Sequence, residues 1–369
     1  MRNPLHSICP YFAMFPEDFA RKHIESFTTE DECVFDPFSG RGTTLLEALL
    51  IGRQAIATDI NPVAYCISGA KSQVPCLEAL LSELERLHKA YTKMSQRMLE
   101  KECCDLPSFF HRAFYHTTLR EILFLRSVLK WRTDALHRFI ATLILGSLHG
   151  EMRSPSYFSN QMPRTISTKP KYSLEYWKRH SLWPHKRDVF SILKSRAEFR
   201  LSGIIPQKHG EVALQDAREA AAAFPSLHKK IRAVITSPPY FNVTNYEEHQ
   251  WLRLWFLGHE PQPTYQKISK DDRYEKKERY WQFLREVWAG VAPLLQNNSI
   301  LACRMGAIGL KEKEITTGLM ESVLGVFPKA CLTAPPLVSN VTKRQTDSFR
   351  PGTKGCVFEL DYVISLRKA

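Results

Sequence analysis

Several things are missing from this 369-residue chain, and each absence excludes a class of protein. No stretch approaches the ~20 apolar residues of a membrane-spanning helix. The opening Met1-Arg2-Asn3-Pro4-Leu5-His6 lacks the apolar run of a secretory signal. A soluble, cytoplasmic protein without a membrane partner is expected. Nine cysteines are present, but none form a Cys-x-x-Cys pair, and the adjacent Cys103-Cys104 cannot build a zinc site alone. They read as reduced, packed thiols, and no metal is expected. There is no internal repeat and no long low-complexity tract; residues 220–223, four alanines, are too few to count.

What is present supports a packed core and a polyanionic partner. Hydrophobic residues make up 44% of the chain, and 51 Lys and Arg face 38 Asp and Glu, a net charge of +13. A basic balance of this size favours nucleic acid first. The charge is concentrated. Residues 151–200 hold 11 Lys or Arg against 4 Asp or Glu, interleaved with Tyr157, Phe158, Tyr172, Tyr176, Trp177 and Trp183.

The periodicities give a coarse map. Residues 17–28 read as an amphipathic helix with Phe19, Ile24 and Phe27 on one face. Cys33-Val34-Phe35 reads as a buried strand running into Asp36, followed by the turn Gly40-Arg41-Gly42 and a helix from Thr43 to near Gly52. Residues 54–58 read as a second strand running into Asp59. Strand, glycine turn, helix, strand and acidic end open a parallel, doubly wound sheet. Long helices are predicted over 77–98 and 119–148. Strands return at 211–214, ending in Asp216, at 233–236, at 299–303, and as a pair at 331–338 and 357–366. A helix is expected over 279–295. The map divides into a sheet domain, 1–74 and 209–369, and a helical, basic insertion, 75–208.

The glycine turn lets backbone approach a ligand closely. A dinucleotide site would carry a third glycine, and Thr43-Thr44 stands there instead. The acidic Asp36 suits a cationic ligand better than a phosphate, and Asp59 is placed to accept bonds from ribose hydroxyls. These residues describe an adenosine-type site whose ligand stays open.

Asp36-Pro37-Phe38-Ser39-Gly40-Arg41-Gly42-Thr43-Thr44 resembles motif I of the DNA amino-methyltransferases, usually DPFxGxGTT. Upstream, 11–16, with Tyr11, Phe15 and Pro16, is similar to motif X of that family. Thr58-Asp59-Ile60-Asn61 resembles motif II, and 212–218, with Asp216 and Ala217, resembles motif III. The resemblance implies a Rossmann-like class I methyltransferase, α/β, with a mostly parallel seven-stranded sheet and a large, mainly helical insertion. It implies S-adenosylmethionine as cofactor, held by the motif X residues and by Asp36, Pro37, Phe38, Ser39, Gly40, Gly42, Thr43, Thr44, Asp59, Ile60, Asn61, Asp216 and Ala217.

Ser237-Pro238-Pro239-Tyr240 follows a β-branched strand. An exocyclic base amine is a poor nucleophile, because its lone pair is delocalised into the ring. Acceptors around its hydrogens localise that pair. The Ser237 hydroxyl and Pro238 carbonyl are the expected acceptors, two prolines stiffen the backbone, and Tyr240 offers a face to a flipped base. In the resembled family, a leading serine is commonest among enzymes acting on cytosine N(4), and a leading aspartate among those acting on adenine N(6). Cys76 is expected to be structural rather than a carbon-5 nucleophile. The helix 250–258 resembles motif V, its aromatics expected in the core; Asn242 and Tyr246 are open between core and ligand.

The expectation is a site-specific DNA cytosine-N(4) methyltransferase using base flipping and direct transfer, with a restriction or defence component as a candidate partner. The rivals are adenine N(6), an RNA amino group, and a silent fold that only binds nucleic acid. Asn160, Gln161 and Arg164 are candidate base-edge readers, and Lys169, Lys171, Lys343 and Arg344 candidate backbone contacts.

Overall fold

The computed structural model describes residues 2–11, 15–150, 154–159, 169–241, 246–263, 276–341 and 356–367; of 246–249 only the backbone is described. Two compact units emerge. One, the sheet unit, comprises Ala13–Ser68, Pro206–Thr244 and Ile268–Ala369; the other, the helical unit, comprises Met1–Phe12, Gly69–Ile205 and Asn245–Lys267.

The sheet unit is built on β1 (Cys33–Asp36), β2 (Gln54–Asp59), β3 (Glu211–Leu214), β4 (Ile231–Thr236), β5 (Leu295–Met305), β6 (Cys331–Leu332), β7 (Leu337–Asn340) and β8 (Phe358–Leu366). The order is β3-β2-β1-β4-β5-β8-β6, with β7 pairing off this path onto β8. The first five strands are mutually parallel, and β8 runs antiparallel to β5. The seven-strand path matches the expected architecture, and β7 adds an eighth strand.

Alternation along the strands explains why both faces are covered. Phe35 and Val234 point to one face, into a core with Tyr280, Leu284, Val287, Trp288, Ile315 and Leu319. Their neighbours Val34 and Ile235 point to the other, against Phe19, Ala20, Ile24, Leu45 and Leu49. The second face is covered by α1 (Glu17–Phe27) and α2 (Thr43–Leu50). Helix α3 (Pro62–Ser72) then leads the chain into the helical unit.

That unit contains α4 (Leu77–Lys93), α5 (Gln96–Asp105), α6 (Ser108–Ala113), α7 (His116–Val128), α8 (Ala135–Leu145), α9 (Pro170–Arg179) and α10 (Val189–Arg200). The two long predicted helices are each broken. The first ends at the extended Met94 and Ser95, the second at Leu129, whose extended backbone leads to a turn before Asp134, the N-cap of α8. Helix α8 is buried from Arg138 through Leu145 and forms the unit's centre.

The short α11 (Ala220–Ala223) belongs to the sheet unit, α12 (Tyr246–Phe256) to the helical unit, and α13 (Lys277–Val291) and α14 (Glu312–Leu324) cover the first sheet face. The units divide at 68/69 and 205/206 rather than at 74/75 and 208/209, and the helical unit also takes in Met1–Phe12 and Asn245–Lys267. Packing explains the difference. The ring of Trp251 lies 5.0 Å from Phe109 and that of Trp255 4.5 Å from Phe110. The buried Arg253 donates from Nε to the Leu145 carbonyl at 3.1 Å. At the amino terminus, a Cβ on Gly146 would sit 2.1 Å from the Ile8 carbonyl oxygen, so residue 146 must lack a side chain.

All nine cysteines are free. Among the described residues, no helix is long and apolar enough to cross a membrane, and no group of metal-ligating side chains occurs. Trp255 is 1% exposed, and its carbonyl accepts from Arg126 Nε at 2.9 Å. Trp255→Ala is expected to lower unfolding free energy by about 3–5 kcal/mol, through lost burial plus the cavity left behind. Urea unfolding of the full chain measures this.

Candidate active site

The strand order reverses between β1 and β4, the point at which open α/β sheets bind ligands beyond their carboxyl ends. The two principal motifs leave the sheet there, on adjacent strands whose register pairs Phe35 with Val234.

The loop after β1 is fixed from within. Gly40 and Gly42 adopt φ of 49° and 70°, a left-handed backbone that favours glycine. Gly42 N–H donates to the Ser39 carbonyl at 2.6 Å, and Ser39 N–H to the Thr58 carbonyl at 3.0 Å. The Ser39 hydroxyl donates to Ser68 at 3.2 Å, and the Thr58 hydroxyl to the Pro37 carbonyl at 3.0 Å. Phe38 packs 6.1 Å from Phe283. Arg41 is buried and turned away from the loop: it donates to Thr43 Oγ1 at 3.0 Å, to Glu17 at 2.7 Å and to the Phe15 carbonyl at 3.4 Å. This ties the loop to the start of α1, where Pro16 precedes the first turn and Phe15 packs edge-on to Phe19.

Three carboxylates end three neighbouring strands. Asp36 is fully buried; its Oδ1 accepts from Phe38 N–H at 3.1 Å and from Thr236 Oγ1 at 2.6 Å. Asp59 accepts from Gly40 N–H at 2.8 Å and Asn61 N–H at 2.9 Å, while Asn61 in turn accepts from Val63 N–H at 2.9 Å. Ile60, between them, is half-buried. Asp216 follows β3. Both its oxygens are engaged by Arg218, at 3.1 and 2.8 Å, and it caps the short turn that buries Ala217.

The tetrapeptide Ser237-Pro238-Pro239-Tyr240 leaves β4. Thr44 Oγ1 donates to the Ile235 carbonyl at 2.9 Å, which ties α2 to this strand. The Pro239 carbonyl accepts from Tyr280 Oη at 2.9 Å, whereas no donor reaches the Pro238 carbonyl among the described residues. Phe241 bridges to Ala307. Tyr240 is buried at 8% exposure, its ring against Gly306, where a Cβ would approach Cε2 to 2.8 Å. Its hydroxyl donates to Glu359 Oε1 at 3.0 Å. Burial, followed by the Glu359 charge, holds the phenol protonated well above its ordinary range.

Tyr11 is buried and belongs to the helical unit, whereas the other candidate cofactor residues belong to the sheet unit. Lys169 precedes α9 and Lys171 lies in it; both are exposed. Asn160, Gln161, Arg164, Lys343 and Arg344 lie outside the described residues, as do Asn242 and the side chain of Tyr246. Glu359, Arg304 and Tyr280 carry no sequence signal of their own. They are recognisable only through contacts made across the sheet.

The residues present fit an adenosyl cofactor bearing a sulfonium. The left-handed glycines keep Cβ atoms off the loop, and the strand-end carboxylates suit cationic and hydroxyl groups. Asp59, at the end of β2, is placed to face ribose hydroxyls, whereas Asp216 meets any ligand already paired with Arg218.

Comparison with known proteins agrees. Residues 3–68 match the family model described as DNA methylase. The Type II methyltransferase M.BsoBI of Geobacillus stearothermophilus is 27% identical over 274 residues, covering 69% of this chain and 53% of that protein. The Type II methyltransferase M.MjaII of Methanocaldococcus jannaschii is 21% identical over 321 residues, covering 66% and 60%. The orphan methyltransferase M.BamHII of Bacillus amyloliquefaciens is 48% identical over 54 residues, covering 15% and 20%. The chain spans about half the length of the first of these relatives. These similarities are all to DNA methyltransferases, in line with the resemblance of motif I to the S-adenosylmethionine-dependent amino-methyltransferases.

Burial pushes the Asp36 carboxyl up to about 7, against ~3.9 for a free one. Between those values the folded chain holds a proton that the unfolded chain has released. Stability therefore declines as pH rises through that window and levels off above it. Asp36→Asn removes this decline. The free-energy difference between variant and wild type is expected to change by roughly 2–4 kcal/mol in the variant's favour from about pH 4 to about pH 8. Urea unfolding of both proteins across that range measures it, and parallel pH curves would refute the assignment.

Proposed function

We propose that this chain is a site-specific DNA methyltransferase acting on the exocyclic N(4) amino group of cytosine, in a base flipped from the duplex. One observation carries the reading. The tetrapeptide leaves β4 beside the motif I loop leaving β1, and the two are joined by the Thr236–Asp36 and Thr44–Ile235 hydrogen bonds.

S-adenosylmethionine supplies an electrophilic methyl group when bound. The chain's own residues then prepare the amine. Ser237 Oγ and the Pro238 carbonyl accept from the amino hydrogens, which draws the lone pair out of the ring and directs it at the methyl carbon. The prolines and the Tyr280 bond to Pro239 fix those acceptors before the base arrives, so little ordering is left for the reaction itself. Asp36 and Asp59 hold the loop that receives the cofactor. The leading serine favours cytosine over adenine as target. A cytoplasmic setting and a cognate restriction or defence component belong to the same reading.

Digestion of treated DNA to nucleosides, followed by mass identification, is expected to reveal N(4)-methylcytosine. N(6)-methyladenine would move the target to adenine, and failure to bind S-adenosylmethionine would favour a silent fold. Ser237→Ala is expected to lower kcat by about 10²-fold with cofactor affinity unchanged. Single-turnover kinetics with calorimetry separate the two quantities.

The basic face of α9 is proposed to hold DNA phosphates. Lys169, Lys171, Lys178 and Arg179 are exposed, and Tyr172 is 58% exposed, while Trp177 anchors the helix in the core 5.5 Å from Phe109. Replacing Lys169 and Lys171 by Ala is expected to weaken DNA binding and to reduce the log–log salt slope by about 2. An unchanged slope would remove this face from the interface.

A further inference from the structure

Among the described residues, Trp183 is the one exposed tryptophan, at 67%. Trp131, Trp177, Trp251, Trp255 and Trp288 are buried, and Trp281 is half-buried. Exposure of a single apolar ring would mean little by itself. This ring, however, stands on a loop fixed at both ends. After α9, Ser181 adopts a left-handed φ of 49°, and the chain turns back so that Leu182 N–H donates to the Trp177 carbonyl at 2.8 Å. Trp177 is itself buried, 5.5 Å from Phe109 of α6. At the far end, Arg187 N–H donates to Thr118 Oγ1 of α7 at 2.9 Å, and the Thr118 hydroxyl donates to the Arg187 carbonyl at 2.7 Å. Between them, Pro184 limits Trp183 to extended backbone. All of these residues belong to the helical unit.

Arg112, on α6, supplies a floor under the ring. Its Cζ lies 3.5 Å from the Trp183 ring centroid, and its Nη2 donates to the same Trp177 carbonyl at 3.4 Å. Its Nε is buried and takes no hydrogen bond among the described residues, so the indole face is what compensates that end of the guanidinium. One face of Trp183 is therefore covered by a cation, and the exposure belongs to the opposite face and the ring edge. The surroundings are basic. Residues 178–187 hold four Lys or Arg and no Asp or Glu. Lys178, Arg179, His185 and Lys186 are exposed. A rigid aromatic face set among cations matches a nucleobase and the phosphates on either side of it. A protein partner would also gain from the indole, but it would have to bring acids to meet these cations, whereas every nucleotide brings its own charge.

We propose that Trp183 is a base-stacking site: its uncovered face takes an unstacked nucleobase of the bound DNA strand, while Lys178, Arg179 and Lys186 meet the adjoining phosphates. Arg112 is a positioning residue that keeps the ring in one plane. This rests on the DNA-binding part of the reading above and extends it from phosphates to a base. Because every base has a π-face, the contact tolerates any sequence. It adds affinity for distorted or opened DNA without reading which base is there. The ring is fixed before the strand arrives, so little side-chain freedom is lost on binding.

The test uses the full chain and two single strands of equal length: oligothymidylate, and an abasic strand that keeps the phosphates and lacks the bases. Trp183→Ala is expected to weaken oligothymidylate binding about 10-fold and to leave affinity for the abasic strand within about twofold of wild type. The log–log salt slope is expected to stay the same, because no phosphate contact is removed. Trp183→Phe keeps a ring and should bind oligothymidylate within about threefold of wild type. Unchanged oligothymidylate affinity in Trp183→Ala would overturn the proposal and leave the indole to a protein partner. An equal loss on both strands would overturn it as well. If Trp183→Ala does not fold by circular dichroism, tryptophan emission decides. Quenching on titration with oligothymidylate that is present in wild type and lost in Trp183→Phe supports stacking; equal quenching in both overturns it. Methyl transfer to duplex DNA with no effect of Trp183→Ala on oligothymidylate defeats this proposal and spares the reading above. Base-dependent binding without methyl transfer supports the proposal and defeats that reading. A wild type that binds neither strand nor a duplex defeats both.

Discussion

The 2.6 Å hydrogen bond from Thr236 Oγ1 to Asp36 Oδ1 is the constraint on which the site depends. Asp36 is fully buried, and a carboxyl there needs a donor. Leaving it unpaired would cost about 1–3 kcal/mol. The donor comes from the strand that ends in the tetrapeptide, one residue before Ser237. The bond therefore does two things at once: it makes the acid tolerable in the core and it sets how far β4 extends beside β1. A slip of β4 by one residue would turn Thr236 to the other face and every core residue with it. The same slip would carry Ser237 away from the glycine loop. Fold stability and site geometry are coupled at this bond.

Most of the sheet was legible because its signals are local. Three buried residues before Asp36, two glycines after it, and apolar, partly β-branched runs before Asp59 and Ser237 each announce an element without reference to anything distant. The helical unit was less legible. Residues 77–98 and 119–148 keep an apolar period through Met94 and through Leu129, and the breaks come from extended backbone that no glycine or proline marks. The membership of Asn245–Lys267 depends on packing partners such as Phe109 and Phe110, more than a hundred residues away, and that of Met1–Phe12 on the approach of Ile8 to Gly146.

The candidate site divides in the same way. Asp36, Gly40, Gly42, Asp59 and Ser237 stand in short motifs whose spacing reflects their chemistry. Glu359 and Arg304 do not. They meet Tyr240 because β8 runs antiparallel beside β5, a pairing with no counterpart in residue spacing. Arg218 is an intermediate case. It is two residues beyond Asp216 and within the resembled motif, yet only the geometry reveals that it occupies both oxygens of the acid. What sequence lacks is the identity of a partner's partner.

The distribution of charge sets a last requirement. The chain carries a net +13, yet the residues gathered at the carboxyl ends of the strands are acidic: Asp36, Asp59, Asp216 and, beside Tyr240, Glu359. Asp59 itself contributes to pushing the Asp36 carboxyl upward, so the repulsion within this row is felt by its members. An acidic edge draws a cationic cofactor and repels phosphates. The exposed Lys169, Lys171, Lys178 and Arg179 belong to the helical unit, which contains none of the four carboxylates. The acidic strand ends and this basic helix are therefore parts of different units, each with its own sign of charge.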